Sequence, residues 1–253
     1  MDYNGLLNVG TQLGCQLMDS GAEISRVEDS IQRLMQAYGV NDAHVFAIPN
    51  SLMVSLTQPT GEPLTRICRI PAHGMDLDRL EMYNALCRKL CQETPDPELA
   101  LEQIKLISSN RPSYSDQFIA LGYFLVGAFF TAFFGGGLAD SLCGGLCGIA
   151  ILLSTRLLRR IAGSNAFFHT LLSAAVSSLL AQLLVRFGVA GSADAITIGA
   201  LMLLVPGVSL TTAMREVMAG DMVSGVTRLA ESLLTATAIA LGTGAALALG
   251  QLL

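Results

Sequence analysis

Two arginines and three acidic residues follow a hydrophobic run in the last third of the sequence: Arg215, Glu216, Asp221, Arg228 and Glu231. A guanidinium group can hold a carboxylate through two parallel hydrogen bonds, so the arginines are candidates for binding an anionic solute. A carboxyl group shielded from water gains proton affinity, so the acids are candidates for carrying a proton. For Arg215 and Glu216 the competing interpretation is ordinary loop charge beside a membrane.

The hydrophobic run before these charges is interrupted by a Pro-Gly pair and followed by hydroxyl side chains. Proline removes a backbone hydrogen-bond donor, and a broken helix at membrane depth is tolerated where it lines a cavity or packs on protein. The hydroxyl groups after the break can bond a polar solute. We therefore predict a substrate pathway made of Pro206, Gly207, Ser209, Thr211, Thr212, Arg215 and Arg228.

Three acids are candidates for coupling transport to an ion. Glu231 is the first choice, because it precedes a long uncharged run and lies three residues after Arg228; Asp221 and Asp194 are the others. Ionisable groups in or beside a membrane span are candidate proton carriers. A permanent Arg228–Glu231 ion pair is the alternative, since an arginine partner favours the charged carboxylate.

Five hydrophobic segments predict membrane spans, at residues 117–134, 138–154, 166–185, 194–214 and 232–253. A spanning helix needs about 20 mostly apolar residues. One side of these spans would hold most of the basic residues, namely Arg111, Arg156, Arg159, Arg160, Arg215 and Arg228, and the other side only Arg186. The positive-inside rule then predicts a cytoplasmic N-terminus and a periplasmic C-terminus.

Charge divides the chain into two parts. Residues 1–116 hold 15 acids and 9 bases, whereas residues 117–253 hold 5 acids and 6 bases. We predict a small α+β cytoplasmic domain at 1–116, with three strands at 45–48, 51–57 and 63–70, and a transmembrane domain at 117–253. A capping box formed by Ser20 and Glu23 would start its second helix. The net charge of −5 argues against a nucleic-acid-binding protein, which would normally have a basic face.

The sequence contains no P-loop, G-x-S-x-G, H-E-x-x-H or G-x-G-x-x-G motif, which are common in catalytic and cofactor sites. His44, His73 and His169 lie in unlike segments, so we predict neither a metal site nor a cofactor. The six cysteines are interpreted as small buried thiols. An acid-rich run in the N-terminal part, Glu23, Glu28 and Asp29, fits a solvated helix face better than a metal or acid/base site.

Four segments resemble the threonine/serine exporter family. They are SGAEISRVEDSI (residues 20–31), NSLMVSLT (50–57), HGMDLDRL (73–80) and LLVPGVSLTTAMREVMAGDMVSGVTRLAESL (203–233). The first contains the motif Gly21, Glu23, Arg26 and Glu28. The resemblance implies a cytoplasmic N-terminal domain followed by membrane spans. Fused members have about twice as many spans, so the chain resembles the larger subunit of the split form, which includes two-component succinate exporters.

We therefore expect a mainly α-helical integral protein of the bacterial inner membrane that is not an enzyme. It would be one subunit of a secondary transporter exporting threonine/serine-type amino acids or dicarboxylates, with a small membrane partner subunit supplying the other half. The G-x-x-x-G at Gly144 and Gly148 indicates either packing within the chain or an interface, including one between copies of the chain. The alternative function is a membrane-anchored enzyme with a catalytic N-terminal domain.

Overall fold

The computed structural model describes residues 2–70, 74–109, 114–161 and 165–252, without the side chains of residues 159–161, 251 and 252. Thus His73, Arg111 and Leu253 lie outside the described residues. The elements are α1 (Tyr3–Asp19), α2 (Ile24–Ala37), β1 (Ala43–Ile48), β2 (Ser51–Thr57), β3 (Pro63–Arg69), α3 (Leu77–Glu93), α4 (Pro97–Ser109), α5 (Asp116–Phe133), α6 (Leu138–Ile161), α7 (Ala166–Arg186), α8 (Ala193–Leu201), α9 (Gly207–Ala219) and α10 (Met222–Leu252).

The first of two compact units comprises residues 1–113 and 211–229. Its antiparallel sheet has the order β1-β2-β3, with Val45 opposite Val54 and Ser55 opposite Thr65. Alternation along β2 buries Leu52, Val54 and Leu56, because successive side chains of a strand point to opposite faces. These residues join the buried faces of α1 to α4 in one core. The predicted three-stranded sheet is confirmed, and the unit also includes residues 211–229 from the membrane half of the sequence.

Two predictions about the first unit are wrong. Ser20 does not cap α2: its hydroxyl donates to the Gln16 carbonyl, 2.8 Å away, so it belongs to the end of α1. Helix α2 begins at Ile24, where Glu23 is the N-cap residue without a side-chain cap bond. The six cysteines are not all thiols, since Cys15 on α1 and Cys68 on β3 form a disulfide.

The second unit comprises residues 114–210 and 230–253. Helices α5, α6, α7 and α8 pack together, and small residues allow a close approach. A Cβ atom on Gly144 would meet the side chain of Thr131 and, at 2.8 Å, the carbonyl of Gly127. One on Gly148 would meet the Tyr123 carbonyl. Both glycines of the G-x-x-x-G thus pack against α5, which confirms packing within the chain.

Four helices among the described residues are long and apolar enough to cross a membrane: Asp116–Phe133, Leu138–Leu158, Ala166–Arg186 and Met222–Gly250. The segment predicted as the fourth span consists of two short helices, α8 and α9, separated by a turn that ends at Pro206. The predicted break is therefore confirmed, whereas the count of five spans stays a prediction. The last helix begins at Met222 rather than near residue 232, because Arg228 and Glu231 are compatible with a helix and extend it.

Candidate functional site

Two segments that the sequence singles out meet within the first unit. The turn between α1 and α2 contributes Ala22 and Glu23, and the hairpin of α9 and α10 contributes two arginines. The guanidinium of Arg215 donates to the carboxylate of Glu23. The Nη2 atom of Arg228 donates to the carbonyl of Ala22 over 3.2 Å. Chain positions about 200 residues apart in sequence thus form one cluster, which we call the carboxylate–arginine cluster.

Gly21 shapes the α1–α2 turn that holds Ala22 and Glu23. Its φ is +96°, which is unfavourable for residues with a Cβ atom, and an added Cβ would lie 2.9 Å from the Gly74 carbonyl oxygen. The backbone amide of Asp76 also donates to the Ser20 carbonyl over 3.1 Å. Gly21, the first residue of the family motif, therefore acts through backbone geometry.

Glu216 and Arg228 form the buried centre of the cluster. Their side chains are 2% and 11% exposed, and Arg228 Nε lies 3.1 Å from Glu216 Oε1. Among the described residues, neither oxygen of Glu216 accepts a hydrogen bond of good geometry. Burial raises the pKa of Glu216 and is the largest effect, whereas Arg228 and the Ile24 amide lower it; Asp221 and Glu23 raise it further. The net direction is upward, so protonation costs less here than for a carboxylate in water.

Glu28 connects α2 to the sheet and is influenced by the charge of Asp221, which also acts on Glu216. Its Oε1 accepts from the Ala47 amide over 2.7 Å. Burial raises the pKa of this carboxyl, the Ala47 hydrogen bond opposes that rise, and the charge of Asp221 adds to it. The structure therefore assigns Glu28 a connecting role between α2 and β1.

The α9–α10 hairpin sets the position of Arg228 relative to Glu216. Its turn contains Gly220, whose φ is +98°, and the Asp221 amide donates to the Glu216 carbonyl over 2.9 Å. At Gly225 an added Cβ would meet the Ala213 carbonyl oxygen and the Val217 amide nitrogen, both at 2.9 Å. The absent side chain at Gly225 lets α10 lie directly on α9.

The other predicted residues are distributed differently. Pro206, Gly207 and Ser209 belong to the second unit, whereas Thr211, which is exposed, and Thr212, which is buried, belong to the first. Arg26 is exposed. Of the predicted coupling acids, Asp221 lies beside the cluster, and Asp194 and Glu231 have exposed side chains. The carboxylate that the structure places against Arg228 is that of Glu216.

The three acids chosen as coupling candidates did not include Glu216, although the sequence carries a signal for it. Thr212, Ala213 and Glu216 are the buried residues of α9, and their spacing of one, three and four positions is that of a single helix face. An acid on the buried face of an amphipathic helix needs compensation, which a basic residue on the next helix can provide.

A second buried acid, Asp140, lies in the second unit and is fully engaged by backbone groups. Its Oδ2 accepts from the Gly137 amide over 2.9 Å, and its Oδ1 accepts from the amides of Gly191 and Ser192 over 2.6 and 3.1 Å. These bonds hold the turn before α6 against the turn before α8. Three donors favour the ionised carboxylate, so Asp140 is suited to holding these turns together.

Comparisons with known proteins give a consistent result. The family model described as "Putative threonine/serine exporter" matches residues 8–250. A threonine/serine exporter of Corynebacterium glutamicum is 22% identical over 255 residues, which cover 98% of this chain and 52% of that protein. The chain thus spans about half the length of this curated relative. No solved structure matches.

Proposed function

This chain belongs to the threonine/serine exporter family, and from that premise we propose that it is a subunit of a secondary transporter for small carboxylated metabolites. The substrates would be amino acids of the threonine/serine type or dicarboxylates such as succinate. The observation that carries the proposal is the family match over residues 8–250, together with the four helices in the described part of the chain that are apolar enough to cross a membrane. The family match indicates transport rather than catalysis, so the membrane-anchored enzyme is not proposed.

The transporter needs a complementary membrane part in this proposal. The relative from Corynebacterium glutamicum is about twice the length that this chain covers. Many transporters are built from two related halves with the substrate site between them. A small partner subunit supplying the second half would complete the pathway that Pro206, Gly207 and Ser209 begin. Association of several copies of the chain is compatible with this arrangement.

The proposed orientation in the bacterial inner membrane places the carboxylate–arginine cluster in the cytoplasm. Helix α10 has 31 residues, and at about 1.5 Å per residue it is longer than a bilayer core of about 30 Å. Its first turns, with Arg228, can therefore lie outside the hydrocarbon while its uncharged remainder spans the membrane. The excess of arginines on the cytoplasmic side follows the positive-inside rule.

Substrate recognition by Arg228 and Arg215 is part of the proposal. Both guanidinium groups already contact carbonyl or carboxylate oxygens of the protein, namely those of Ala22, Glu23 and Glu216. An environment that binds internal carboxylates has the chemistry needed for a solute carboxylate. Arg215 is 67% exposed and would meet the solute first.

Efflux from proteoliposomes tests this function. Vesicles containing the chain and its partner subunit would be loaded with radiolabelled threonine, serine or succinate, and release would be followed with and without a pH gradient. We expect release of at least one of these solutes, and much slower release from vesicles with either subunit alone. Equal release by this chain alone would contradict the two-subunit proposal. Efflux no faster than from protein-free vesicles, for all three solutes, would contradict the export function.

A further inference from the structure

The ion pair at the centre of the carboxylate–arginine cluster has an unusual balance of charge. Glu23 pairs with Arg215 and Glu216 pairs with Arg228, and two further carboxyl groups lie nearby, because the charge of Asp221 acts on both Glu216 and Glu28. With all six groups ionised, they carry two excess negative charges. Like charges in a partly dehydrated place favour uptake of a proton by one of the acids.

Glu216 is the most deeply buried of these four acids. It is 2% exposed, and its oxygens accept no hydrogen bond of good geometry within the described part of the chain. Glu23, by contrast, accepts from Arg215, and Glu28 accepts from the Ala47 amide. Asp221 lies at the start of α10 in a half-buried position. Glu216 therefore has the least contact with water of the four, and Arg228 and the Ile24 amide oppose the effect of its desolvation only in part.

Arg228 has an acceptor that does not depend on Glu216. Its Nη2 donates to the Ala22 carbonyl over 3.2 Å, whereas its Nε faces Glu216. If Glu216 were protonated, the hydrogen bond to Ala22 would still hold the guanidinium in place. The positive charge of Arg228 would then no longer be balanced by the charge of Glu216. A guanidinium in that state attracts another carboxylate.

We propose that Glu216 and Arg228 form a proton-controlled carboxylate site, in which ionised Glu216 occupies Arg228 and a solute carboxylate takes its place when Glu216 accepts a proton. The proton comes from water and no covalent bond to the solute forms. Proton and solute therefore bind together, and this assigns proton linkage to Glu216 instead of Glu231. The solute part of the inference rests on the proposed function; the protonation part does not.

Carboxylate binding to the purified subunit pair in detergent tests the solute part. Calorimetric titration with succinate and with threonine, between pH 5.5 and 8, should show affinity that rises as the pH falls, by up to about tenfold per pH unit for one linked proton. Glu216→Gln should bind well at pH 8 with little pH dependence, and Arg228→Gln should lose binding about tenfold or more. The matched control Glu231→Gln should keep the wild-type pH dependence. Wild-type pH dependence in Glu216→Gln would overturn the proposal.

Infrared spectroscopy tests the protonation of Glu216 without any solute. A carbonyl stretch of neutral carboxyl groups should grow as the pH falls from 8 to 5, and the part contributed by Glu216 should be missing from Glu216→Gln, which leaves a weaker band. Arg228→Lys leaves Glu216 in place and should move the midpoint of that band, which gives a second result should Glu216→Gln fold poorly. If no band depends on either substitution, the inference is wrong even when efflux is observed. If the band is present but all three solutes fail to leave vesicles, only the export function is wrong.

Discussion

Arg228 and Arg215 carry the same charge, but their surroundings differ. Arg228 is 11% exposed beside a carboxylate that is 2% exposed, whereas Arg215 is 67% exposed beside Glu23. Removal of one partner from a buried pair leaves an uncompensated charge, whereas exposed pairs contribute little to stability. The two residues should therefore respond differently to the same substitution.

Arg228→Gln should lower the free energy of unfolding by about 3 kcal/mol, because it leaves Glu216 buried without its counter-charge. Arg215→Gln should lower it by less than about 1 kcal/mol. Thermal unfolding of the purified variants in one detergent measures the difference. Arg26→Gln, at an exposed position of α2, is the control. Equal loss in the two cluster variants would contradict the burial of the Glu216–Arg228 pair.

The pH dependence of stability should carry the signature of acids whose pKa is raised in the folded protein. Burial raises the pKa of both Glu216 and Glu28 above 4.5. The folded state then binds protons more tightly than the unfolded state, so stability falls as the pH rises from about the unfolded value through the raised folded value. Melting temperatures from pH 4 to pH 8 should show this fall in the wild type, and a smaller one in Glu216→Gln. If the dependence of melting temperature on pH were the same in Glu216→Gln as in the wild type, Glu216 would not contribute to the pH dependence of stability.

Residue types in the cluster could be predicted from the sequence, but the pairs could not. Arg215 and Glu23 are 192 positions apart, and Arg228 and Ala22 are 206 apart, so spacing gives no register between them. The role of Ser20 could not be predicted either, because a serine hydroxyl can donate to a carbonyl of the preceding helix as readily as it can accept from an amide of the following one. Because α1 ends here and Gly21 has a positive φ, the hydroxyl of Ser20 bonds to α1.

At the scale of elements, the contact between α9 and α10 depends on Gly225. A side chain there would meet the Ala213 carbonyl oxygen and the Val217 amide nitrogen at 2.9 Å, and backbone atoms cannot move aside as a flexible side chain can. Gly225→Val should therefore separate the helices and lower the free energy of unfolding by about 1–3 kcal/mol. We expect slower efflux from the same variant. Gly244→Ala, on the same helix and with nothing within 4 Å, should be neutral or slightly stabilising. Thermal unfolding and efflux of the two variants provide the comparison, and equal stability would argue against tight packing at Gly225.

The turns before α6 and α8 depend on the carboxylate of Asp140. Asn at this position would replace one accepting oxygen by an NH2 group that faces backbone donors, and each lost bond to a charged acceptor contributes about 1.5–3 kcal/mol. We expect Asp140→Asn to lower the melting temperature clearly. Asp194→Asn, at an exposed position in the first turn of α8, should not. If Asp140→Asn melted like the wild type but lost pH-driven efflux, Asp140 would be a proton carrier instead.

Most helices and strands follow from periodicity and hydropathy, whereas the ends of two of them do not. Residues 117–134 and 138–154 were expected to span the membrane, and α5 and α6 occupy those positions, with α6 continuing to Ile161. Helix α10 begins ten residues before the predicted span, because hydropathy marks the apolar part of a helix and not its polar first turns. The break at Pro206 could be predicted because proline itself lacks the backbone N–H that a helix needs.

At the scale of the whole molecule, orientation in the membrane is directly testable. Val189 lies between α7 and α8 and is 54% exposed, and Gln36 lies near the end of α2. In intact spheroplasts, a membrane-impermeant thiol reagent should label Val189→Cys, whereas Gln36→Cys should react only after permeabilisation. The four free native cysteines are buried or half-buried, so the wild type serves as the background control. Labelling of Gln36→Cys in intact spheroplasts would reverse the proposed orientation.

The discontinuity of the first unit has a consequence for the synthesis of the protein. Its residues 1–113 leave the ribosome first, but residues 211–229, which bring Arg215, Glu216 and Arg228 to the α1–α2 turn, follow only after residues 114–210. At about 5–20 residues per second, those roughly 100 intervening residues take about 5–20 s to translate. During that time several hydrophobic segments must enter the membrane, and the N-terminal unit remains without the parts of α9 and α10 that complete it. Slow or faulty insertion would therefore leave the α1–α2 turn at Ala22 and Ile24 exposed. A chaperone could bind this turn, or a protease cleave it, before Arg215 and Arg228 pack against it.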